Sequence, residues 1–540
     1  MFASIRLWWS RGQRPEHAVW ARAGRSRLGG RGTSGTDATD GACLGRRSGW
    51  ATAATTLALA ALVLAWDAGP LQAGSRPAAS RPNIVFFLID DMGWPDPSCY
   101  GNQFNETPTI DRLAAEGMRF TDFYAATPVC SSTRSTIQSG QYSARTGITD
   151  FIPGHYRPFE KLIVPPIEHE LPASIKTPGD VLAAAGYVTG YFGKWHLGPD
   201  ESRGPGLRGY QVTARTLPKE FRQWRGRRSP GPKRIDLLTD QAIWFIRHYK
   251  DRPFFLTVSH YAVHIPLEAT PESFAKYSKK PKPPTGVNNP YYAAMTEDLD
   301  RGIARVLKTL DELGLSDRTV IVFTSDNGGL KKIYTGVGEE VSTNEPLRAE
   351  KGTLYEGGIR VPMIVRWPGV VRPGTVCREP ATTADLLPTF CEMAGVPLPD
   401  QPIDGLSLVP LLKDPSRQLP RDAIYFHYPH YHHSRPAGAI RARDWKLIEF
   451  FDGSPLELYN LREDLGERHN LATKFPDKAK QLRDQLARWR KQVGARMPKP
   501  NPNYDPKRAH EWWSRRTNKP LDVQKMAQHF KPRLVPSGAE

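Results

Sequence analysis

The run Asn83–Ile89 (NIVFFLI) constrains the fold of this chain more than any other stretch. A strand with one face in water alternates apolar and polar residues. An unbroken run of β-branched and aromatic residues fits instead a strand buried on both faces, the pattern of parallel sheets. Runs of the same kind recur at Tyr187–Phe192, Phe254–Ser259, Val320–Ser325 and Pro362–Arg366. Between them, Thr109–Glu116, Thr177–Ala185, Ile235–Tyr249 and Asn289–Leu313 space their apolar residues by three and four, the period of a helix. Pro178 opens one of these helices and Gly186 closes it. Strands alternating with helices predict an α/β fold, a large mixed and mostly parallel sheet sandwiched by helices.

The pattern changes after about Pro420. Ala423–His427, Ala439–Arg443, Trp445–Phe451 and Glu457–Tyr459 are short and closely spaced, with Gly453 in a turn, and read as an antiparallel meander. Asp477–Gln492 follows as a basic amphipathic helix. The expected organisation is a leader over 1–73, a catalytic domain over 74–414, a small C-terminal α+β domain with an antiparallel sheet over 415–495, and an extended tail over 496–540. The leader has the order of an export signal: Arg46-Arg47, an apolar run from Thr56 to Trp66, then Leu71-Gln72-Ala73 as a small-residue cleavage site. Spanning a bilayer takes about 20 apolar residues, so this run is too short to be an integral span. The expected location is exported, either periplasmic or secreted.

Five cysteines in 540 residues exclude a disulfide-dense scaffold; Cys377 and Cys391 could pair, which spacing alone does not show. The net charge of +18 favours polyanionic partners such as sulfated glycans, nucleic acid or anionic surfaces. No zinc-finger spacing or Arg-rich block points to nucleic acid, and a basic, well-solvated surface accounts for the charge equally well.

In open α/β sheets, ligands bind beyond the carboxyl ends of the strands. Asp90-Asp91 follow NIVFFLI directly and Asp326-Asn327 follow VIVFTS; Lys194 and His196 follow YVTGYFG, and His264 follows FFLTVSHYAV. Strand direction alone thus brings these residues to one rim. Three carboxylates and an amide oxygen are hard donors that suit Ca²⁺ or Mg²⁺ rather than Zn²⁺. Asp90 and Asp91 converge only if the strand has ended, because neighbours in a strand point to opposite faces; Met92-Gly93 supplies the loop. Cys130 precedes Ser131–Ser139, a segment able to start a helix, where free N–H groups favour anions. Arg134, one turn on, shares its face and offers a planar guanidinium to a sulfate- or phosphate-like group. Taken singly, each of these has an ordinary reading as a turn, a surface charge or an inert buried Cys. His427-Tyr428-Pro429-His430-Tyr431-His432-His433 reads either as a polar loop, as an adventitious metal binder or, through His430, as a contact for substrate hydroxyls.

Together these segments resemble the type I sulfatase family of the alkaline phosphatase superfamily. The resemblance spans about residues 82–495. Its motifs are NIVFFLIDDMGW, TPTIDRLAAEGMRFTDFYA, VCSSTRSTIQSGQYSARTGI, AGYVTGYFGKWHLG, VIVFTSDNGG, LRAEKGTLYEGGIRVP and the closing ELYNLREDLGERHNLA. It implies a sulfuric ester hydrolase in which a maturase converts Cys130 to formylglycine, whose hydrated aldehyde is the nucleophile. It further implies that Asp90, Asp91, residue 130, Asp326 and Asn327 hold one Ca²⁺, or Mg²⁺ in its place. Lys194 and Arg134 stabilise the modified side chain, His196 assists breakdown of the sulfated intermediate, and His264 and Lys351 hold the sulfate and help the leaving alcohol depart. With the basic charge and the leader, the implied substrate is sulfated polysaccharide or oligosaccharide. The family signature is C-x-P-x-R, and Ser132 stands where Pro is expected. That departure keeps open an inactive binder of sulfated glycan, and the shared scaffold keeps open a phosphodiesterase or phosphonate monoesterase. The Arg-rich segment 201–234 is unlike the long insert of many relatives and leaves the substrate class unset.

Overall fold

The computed structural model describes residues 81–222, 231–334 and 337–537. The expected leader, with Arg46-Arg47, the apolar run and Cys43, lies outside the described residues. The main sheet comprises β1 (Asn83–Ile89), β2 (Met118–Phe120), β3 (Val188–Gly193), β4 (Val212–Thr213), β5 (Phe254–Ser259), β6 (Thr319–Ser325), β7 (Met363–Arg366) and β8 (Thr375–Cys377). Their order across the sheet is β8-β2-β7-β6-β1-β5-β3-β4. From β6 to β4 every pairing is parallel, whereas β7 runs antiparallel to both of its neighbours.

The helices that cover this sheet are α1 (Pro108–Glu116), α2 (Cys130–Ser139), α3 (Pro178–Ala184), α4 (Ile235–Tyr249), α5 (Pro290–Glu312) and α6 (Leu386–Ala394). Alternation along β1 sends its side chains into two cores. Val85, Phe87 and Ile89 pack with Leu238, Phe245 and Ile246 of α4 and with Met295, Leu299 and Ile303 of α5. Ile84, Phe86 and Leu88 pack on the other face with Leu182 of α3 and with Leu386, Phe390 and Met393 of α6. Burial on both faces is what an unbroken apolar run requires.

The expected strands and helices are present, most with ends displaced by a residue or so. Unforeseen are β2, β4 and β8, each of two or three residues, too short for a hydrophobic period to show. The antiparallel meander forms as β9 (Ile424–Tyr428), β10 (Ala437–Ala442), β11 (Trp445–Phe450) and β12 (Glu457–Asn460), in sequential order. One of its faces takes α7 (Pro476–Gln492) through Leu482, Leu486 and Trp489. The other packs Phe426, Ala439, Ile448 and Phe450 against Tyr124, Val129, Leu354 and Ile359, next to the segments that carry Cys130 and Lys351. Residues 497–537 are extended for most of their length, but they form short strand pairings with the body and a helix, α8 (Val523–His529). Cys377 and Cys391 carry free thiols, so the pairing that spacing left open is not made.

A buried charge cluster joins the meander to the main body. Lys446 Nζ on β11 lies 2.8 Å from both Glu356 Oε1 and Glu467 Oε1, and all three side chains are fully enclosed. Burial pushes the Glu467 carboxyl up to about 7, against the pull of Lys446. Glu356 keeps Arg360 Nε at 2.6 Å, but removing Lys446 leaves the enclosed Glu467 carboxylate with no cation beside it, and breaking such a pair costs about 3–5 kcal/mol. Lys446→Met is expected to lower the unfolding free energy by about that amount, measured by urea denaturation, with little change in the midpoint's steepness.

Candidate active site

Strands β6, β1, β5 and β3 are consecutive neighbours, and their ends lie level: Ile89 pairs with Ser325, Leu88 with Ser259, and Gly193 with Ser259. The residues that follow therefore emerge together. The turn-outs are stitched by backbone bonds. Asp326 N–H donates to Ile89 O (3.0 Å), Asp90 N–H to Ala262 O (3.0 Å) and Lys194 N–H to Ser259 O (2.8 Å). Asp91 takes a left-handed backbone (φ 63°), which ends the strand geometry and turns its carboxylate to the same side as that of Asp90. At Gly193 (φ 105°) an added Cβ would sit 1.8 Å from Ser259 O, so only glycine lets β3 turn toward Lys194 at this point.

Asp90, Asp91, Asp326 and Asn327 are all buried. Lys194 Nζ contacts both oxygens of Asp90 (2.8 and 2.6 Å), and Lys351 Nζ both oxygens of Asp91 (2.7 and 2.8 Å). Arg134 donates from Nε to Asp326 Oδ2 (2.9 Å) and places its NH2 at 2.7 Å from the same oxygen. Its NH1 is held by Lys194 O (2.8 Å) and Ser259 Oγ (2.7 Å). Three carboxylates thus meet three fixed cations. Burial alone would raise the Asp90 carboxyl, but Lys194, with His264, Arg134 and Lys351 behind it, holds it well below the usual range. Asp91 is lowered in the same way, chiefly by Lys351 against its burial. At Asp326 burial wins over Arg134 and pushes the carboxyl up to about 6.

Cys130 is the first residue of α2 and is 2 % exposed. Every residue of this polar helix is buried, and its hydroxyls are satisfied locally: Ser135 Oγ donates to Ser132 O (2.7 Å), Thr136 Oγ1 to Thr133 O (2.8 Å) and Ser139 Oγ to Ser135 O (2.7 Å). Gly140, at φ 68°, ends it with its N–H on Thr136 O. Candidate ligand atoms of Asp90, Cys130 and Asp326 lie within 4.8 Å of one another. Asn327 donates its amide N–H to Asp91 Oδ1 (2.8 Å), while its Oδ1 is buried with no hydrogen-bond partner. A converging set of acidic oxygens beside an unsatisfied amide oxygen fits a hard divalent cation.

Two histidines stand at the edge of this cluster. His196, also left-handed (φ 61°), places Nε2 2.6 Å from Ile152 O; a carbonyl only accepts, so Nε2 carries the proton and the buried, unpartnered Nδ1 is a lone-pair base. Burial, then Lys194, keeps that ring neutral. His264 anchors Nδ1 on Ile265 O (2.6 Å) and sets Nε2 3.6 Å from Asp91 Oδ2. Burial pushes its imidazole down to about 4.

Of the expected residues, Asp90, Cys130 and Asp326 converge; Arg134 and Lys194 contact those carboxylates, while Lys351, Asn327 and His264 gather on Asp91. His430 sits in a second layer: it is fully enclosed, with Nε2 2.8 Å from Thr149 Oγ1 and Nδ1 3.1 Å from Arg515. A sugar hydroxyl would have to displace one of these partners. Its neighbour His433 stands nearer the cluster, half-buried with Nδ1 3.0 Å from Lys351 O. Sequence reasoning did not single out Ser259, which fixes Arg134, or Ser325, whose Oγ accepts from Met92 N–H (2.9 Å). Both are polar residues at the last position of an otherwise buried strand, a signal that was present. Asn344 gave no such sign, yet it ties the Asp326 loop to the Lys351 loop by donating to Gly329 O (2.9 Å) and Ala349 O (3.1 Å).

Comparison with known proteins agrees with this geometry. The sulfatase family profile matches residues 82–396, and that of the N-sulphoglucosamine sulphohydrolase C-terminal region matches 349–492. Arylsulfatase A of Homo sapiens is 32 % identical over 458 residues, spanning 74 % of this chain and 85 % of that protein. N-acetylgalactosamine-6-sulfatase of Homo sapiens is 33 % identical over 383 residues, spanning 65 % and 70 %. The solved structure of Ps i-CgsB in complex with k-i-k-neocarrahexaose superposes with a TM-score of 0.61 at 28 % identity, covering 76 % of this chain and 92 % of that one. With its alkaline phosphatase-like sheet, its strand-end carboxylates and these matches, the chain belongs to the type I sulfatase family, enzymes that hydrolyse sulfate esters.

Proposed function

We propose that this protein is an exported sulfuric ester hydrolase acting on sulfated polysaccharide or oligosaccharide, using one Ca²⁺ and a formylglycine made from Cys130 by a maturase. The observation that carries the reading is the meeting of Asp90, Asp326 and Cys130 within 4.8 Å, under Arg134, Lys194 and Lys351. A bound divalent cation supplies positive charge that offsets repulsion between an anionic ester and its attacker. Asp90, Asp91, Asp326, Asn327 and residue 130 would hold it.

The remaining roles belong to side chains of this chain. Arg134 is pinned by an aspartate, a carbonyl and a hydroxyl, so it offers a preorganised guanidinium beside residue 130 and spends no rotamer entropy at the moment of reaction. Lys194 flanks the same side chain. Lys351 Nζ and, once Nε2 takes up a proton, His264 face Asp91 from the open side, where they hold the ester's oxygens and assist the departing alcohol. His196, whose buried Nδ1 has no partner, takes the role of accepting a proton from residue 130 as sulfate leaves. The thiol itself is an unpromising nucleophile: burial raises it above its ordinary range, opposed only in part by Lys194 and Lys351. That supports conversion to an aldehyde. Glycan as substrate is supported by the relatives, one named N-acetylgalactosamine-6-sulfatase and one solved with k-i-k-neocarrahexaose. On the substrate side, His430 supports the pocket through Thr149 and Arg515. Export rests on the leader; among the described residues no helix is long and apolar enough to cross a membrane. The division into a catalytic domain over 74–414, a small domain over 415–495 and a tail over 496–540 is retained with this reading.

Ser132 is the third residue of α2, so its N–H belongs to the first turn and has no acceptor within the helix. Proline is compatible with that position. Ser132→Pro is expected to preserve or raise the converted fraction of Cys130, read by peptide mass spectrometry of protein from a host that has the maturase; a fall would contradict the reading of the signal. Cys130→Ala is expected to abolish turnover of 4-nitrophenyl sulfate while leaving the thermal melt within a few degrees. Asp326→Ala is expected to lower bound Ca²⁺ by at least tenfold in occupancy-limited titrations; unchanged calcium by elemental analysis would count against the ligand set.

A further inference from the structure

The segment Lys499–Ser537 lies beyond residue 492, the last that the family profiles match, yet it is joined to the body along its length. Lys499–Pro500 pairs with Leu162–Ile163, Trp513–Ser514 pairs antiparallel with His155–Tyr156, and Arg533–Leu534 pairs in parallel with Glu268–Ala269. Helix α8 lies against the strands Lys332–Tyr334 and Val337–Glu340, with Tyr334 Oη 3.6 Å from Met526 Sδ. Each of these partners is continuous with a catalytic element. The 155–163 segment runs on from Ile152, whose N–H donates to Ser131 Oγ (3.0 Å) and whose carbonyl holds His196. Glu268–Ala269 follows His264, and the 332–340 strands precede Lys351. The tail is thus a belt across segments that lead to or from the site.

Where the belt crosses residues 155–157 it backs a wall of rings and cations. The His155 ring meets Phe151 edge-on (5.2 Å between centroids), stacks on Tyr334 (6.2 Å) and has Trp512 of the belt behind it (6.4 Å). Phe151 in turn meets His432 (5.7 Å), whose Nδ1 is 3.1 Å from His433 Nδ1, and His433 is bonded to the Lys351 carbonyl. Arg157 lies over the Trp512 ring at 4.1 Å. Trp512 is buried, whereas Phe151, His155, Arg157, Tyr334 and His432 are half-buried, so the belt supplies the backing and the others the open face. Arg157 donates from NH1 to Glu160 Oε1 (3.2 Å), which fixes its plane, while its Nε is enclosed without a hydrogen-bond partner, as is Nε of Arg515, the belt residue that reaches His430. Rings set around a few fixed polar groups are the composition of a small-ligand site, and a guanidinium stacked on an indole is a rigid receptor for an oxyanion.

We propose that this belt-backed wall is the subsite for the sugar that departs with the ester oxygen, with Arg157 receiving a second anionic group on it. The proposal rests on the sulfatase reading. The group's shared chemistry is that of a planar or tetrahedral oxyanion, a carboxylate or a further sulfate. By pairing with 155–156, 162–163 and 268–269 and packing on 332–334 and 337–340, the tail sets which glycan fits.

The test titrates full-length Cys130→Ala protein with two hexasaccharides by isothermal calorimetry. One is from ι-carrageenan, charged by sulfate alone, and the other is from chondroitin 6-sulfate, which also carries carboxylates. Adding Arg157→Ala is expected to weaken binding at least tenfold for one of them, with partial recovery in Arg157→Lys, and Arg515→Gln to weaken it at least threefold. Loss for the carrageenan probe assigns a sulfate to Arg157; loss for the chondroitin probe alone assigns a carboxylate. In the converted enzyme the ratio of kcat/KM for the bound glycan over that for 4-nitrophenyl sulfate is expected to fall at least tenfold, through KM. Should Arg157→Ala melt early, Tyr334→Ala on the opposite side of the wall reads the same loss. Binding within twofold of the parent in these folded variants, or no binding of either hexasaccharide by the parent, overturns the subsite. Absence of 4-nitrophenyl sulfate turnover by protein shown to be converted would instead remove the sulfatase reading, and the calorimetry then judges the subsite by itself.

Discussion

Burying three carboxylates at one edge of a sheet is expensive, and the rest of this protein is arranged around meeting that cost. In a medium that excludes water each carboxylate must find a cation or take a proton. Asp90 and Asp91 find Lys194 and Lys351, and Asp326 finds Arg134, so the centre is close to charge balance before any ion or ester enters. The balance depends on level strand ends. A register slip of one residue between β1 and β6 would send Asp90 and Asp326 apart and reverse their faces. The long in-register pairing of β1 with β5 and β6, packed on both sides, makes such a slip prohibitive.

Much of this was legible in the order of residues, for a physical reason. Long apolar runs and helical periods survive in sequence because they answer to burial, and β1, β5, β6, α4 and α5 could be read from them. The direction of β7 and the existence of β2, β4 and β8 could not, since they follow from pairing partners far away in the chain. The rim was legible for the same reason as its strands. What it lacked were the details that set direction: the left-handed turns at Asp91 and His196, the pinning of Arg134 by Ser259, and the Asn344 cross-tie. In the His-rich run, composition suggested a contact but not which ring; whether His430 or His432 faces outward depends on Thr149 and Arg515, hundreds of positions apart in one case.

The small antiparallel sheet has a place in this arrangement too. Its inner face packs on Val129 and Leu354, which adjoin Cys130 and Lys351 in the chain, and Lys446 locks it there through Glu356 and Glu467. The positions of α2 and of the Lys351 loop are thus set partly by a sheet that carries none of the proposed metal ligands. The tail extends the same logic to the outer loops, where two-residue pairings and a small cluster of Leu162, Tyr431 and Trp512 hold the segments together.

Helix α2 has one more consequence. Its ten residues are enclosed, and Cys130 shows almost nothing of itself to the surroundings. Were this thiol converted as proposed above, the catalyst would have to reach a segment that the folded chain encloses. Such chemistry would compete with the collapse of the polypeptide, and the yield of active molecules would then be a race between two rates. A replacement that hastens folding of the segment, however stabilising, would leave more molecules permanently unmodified.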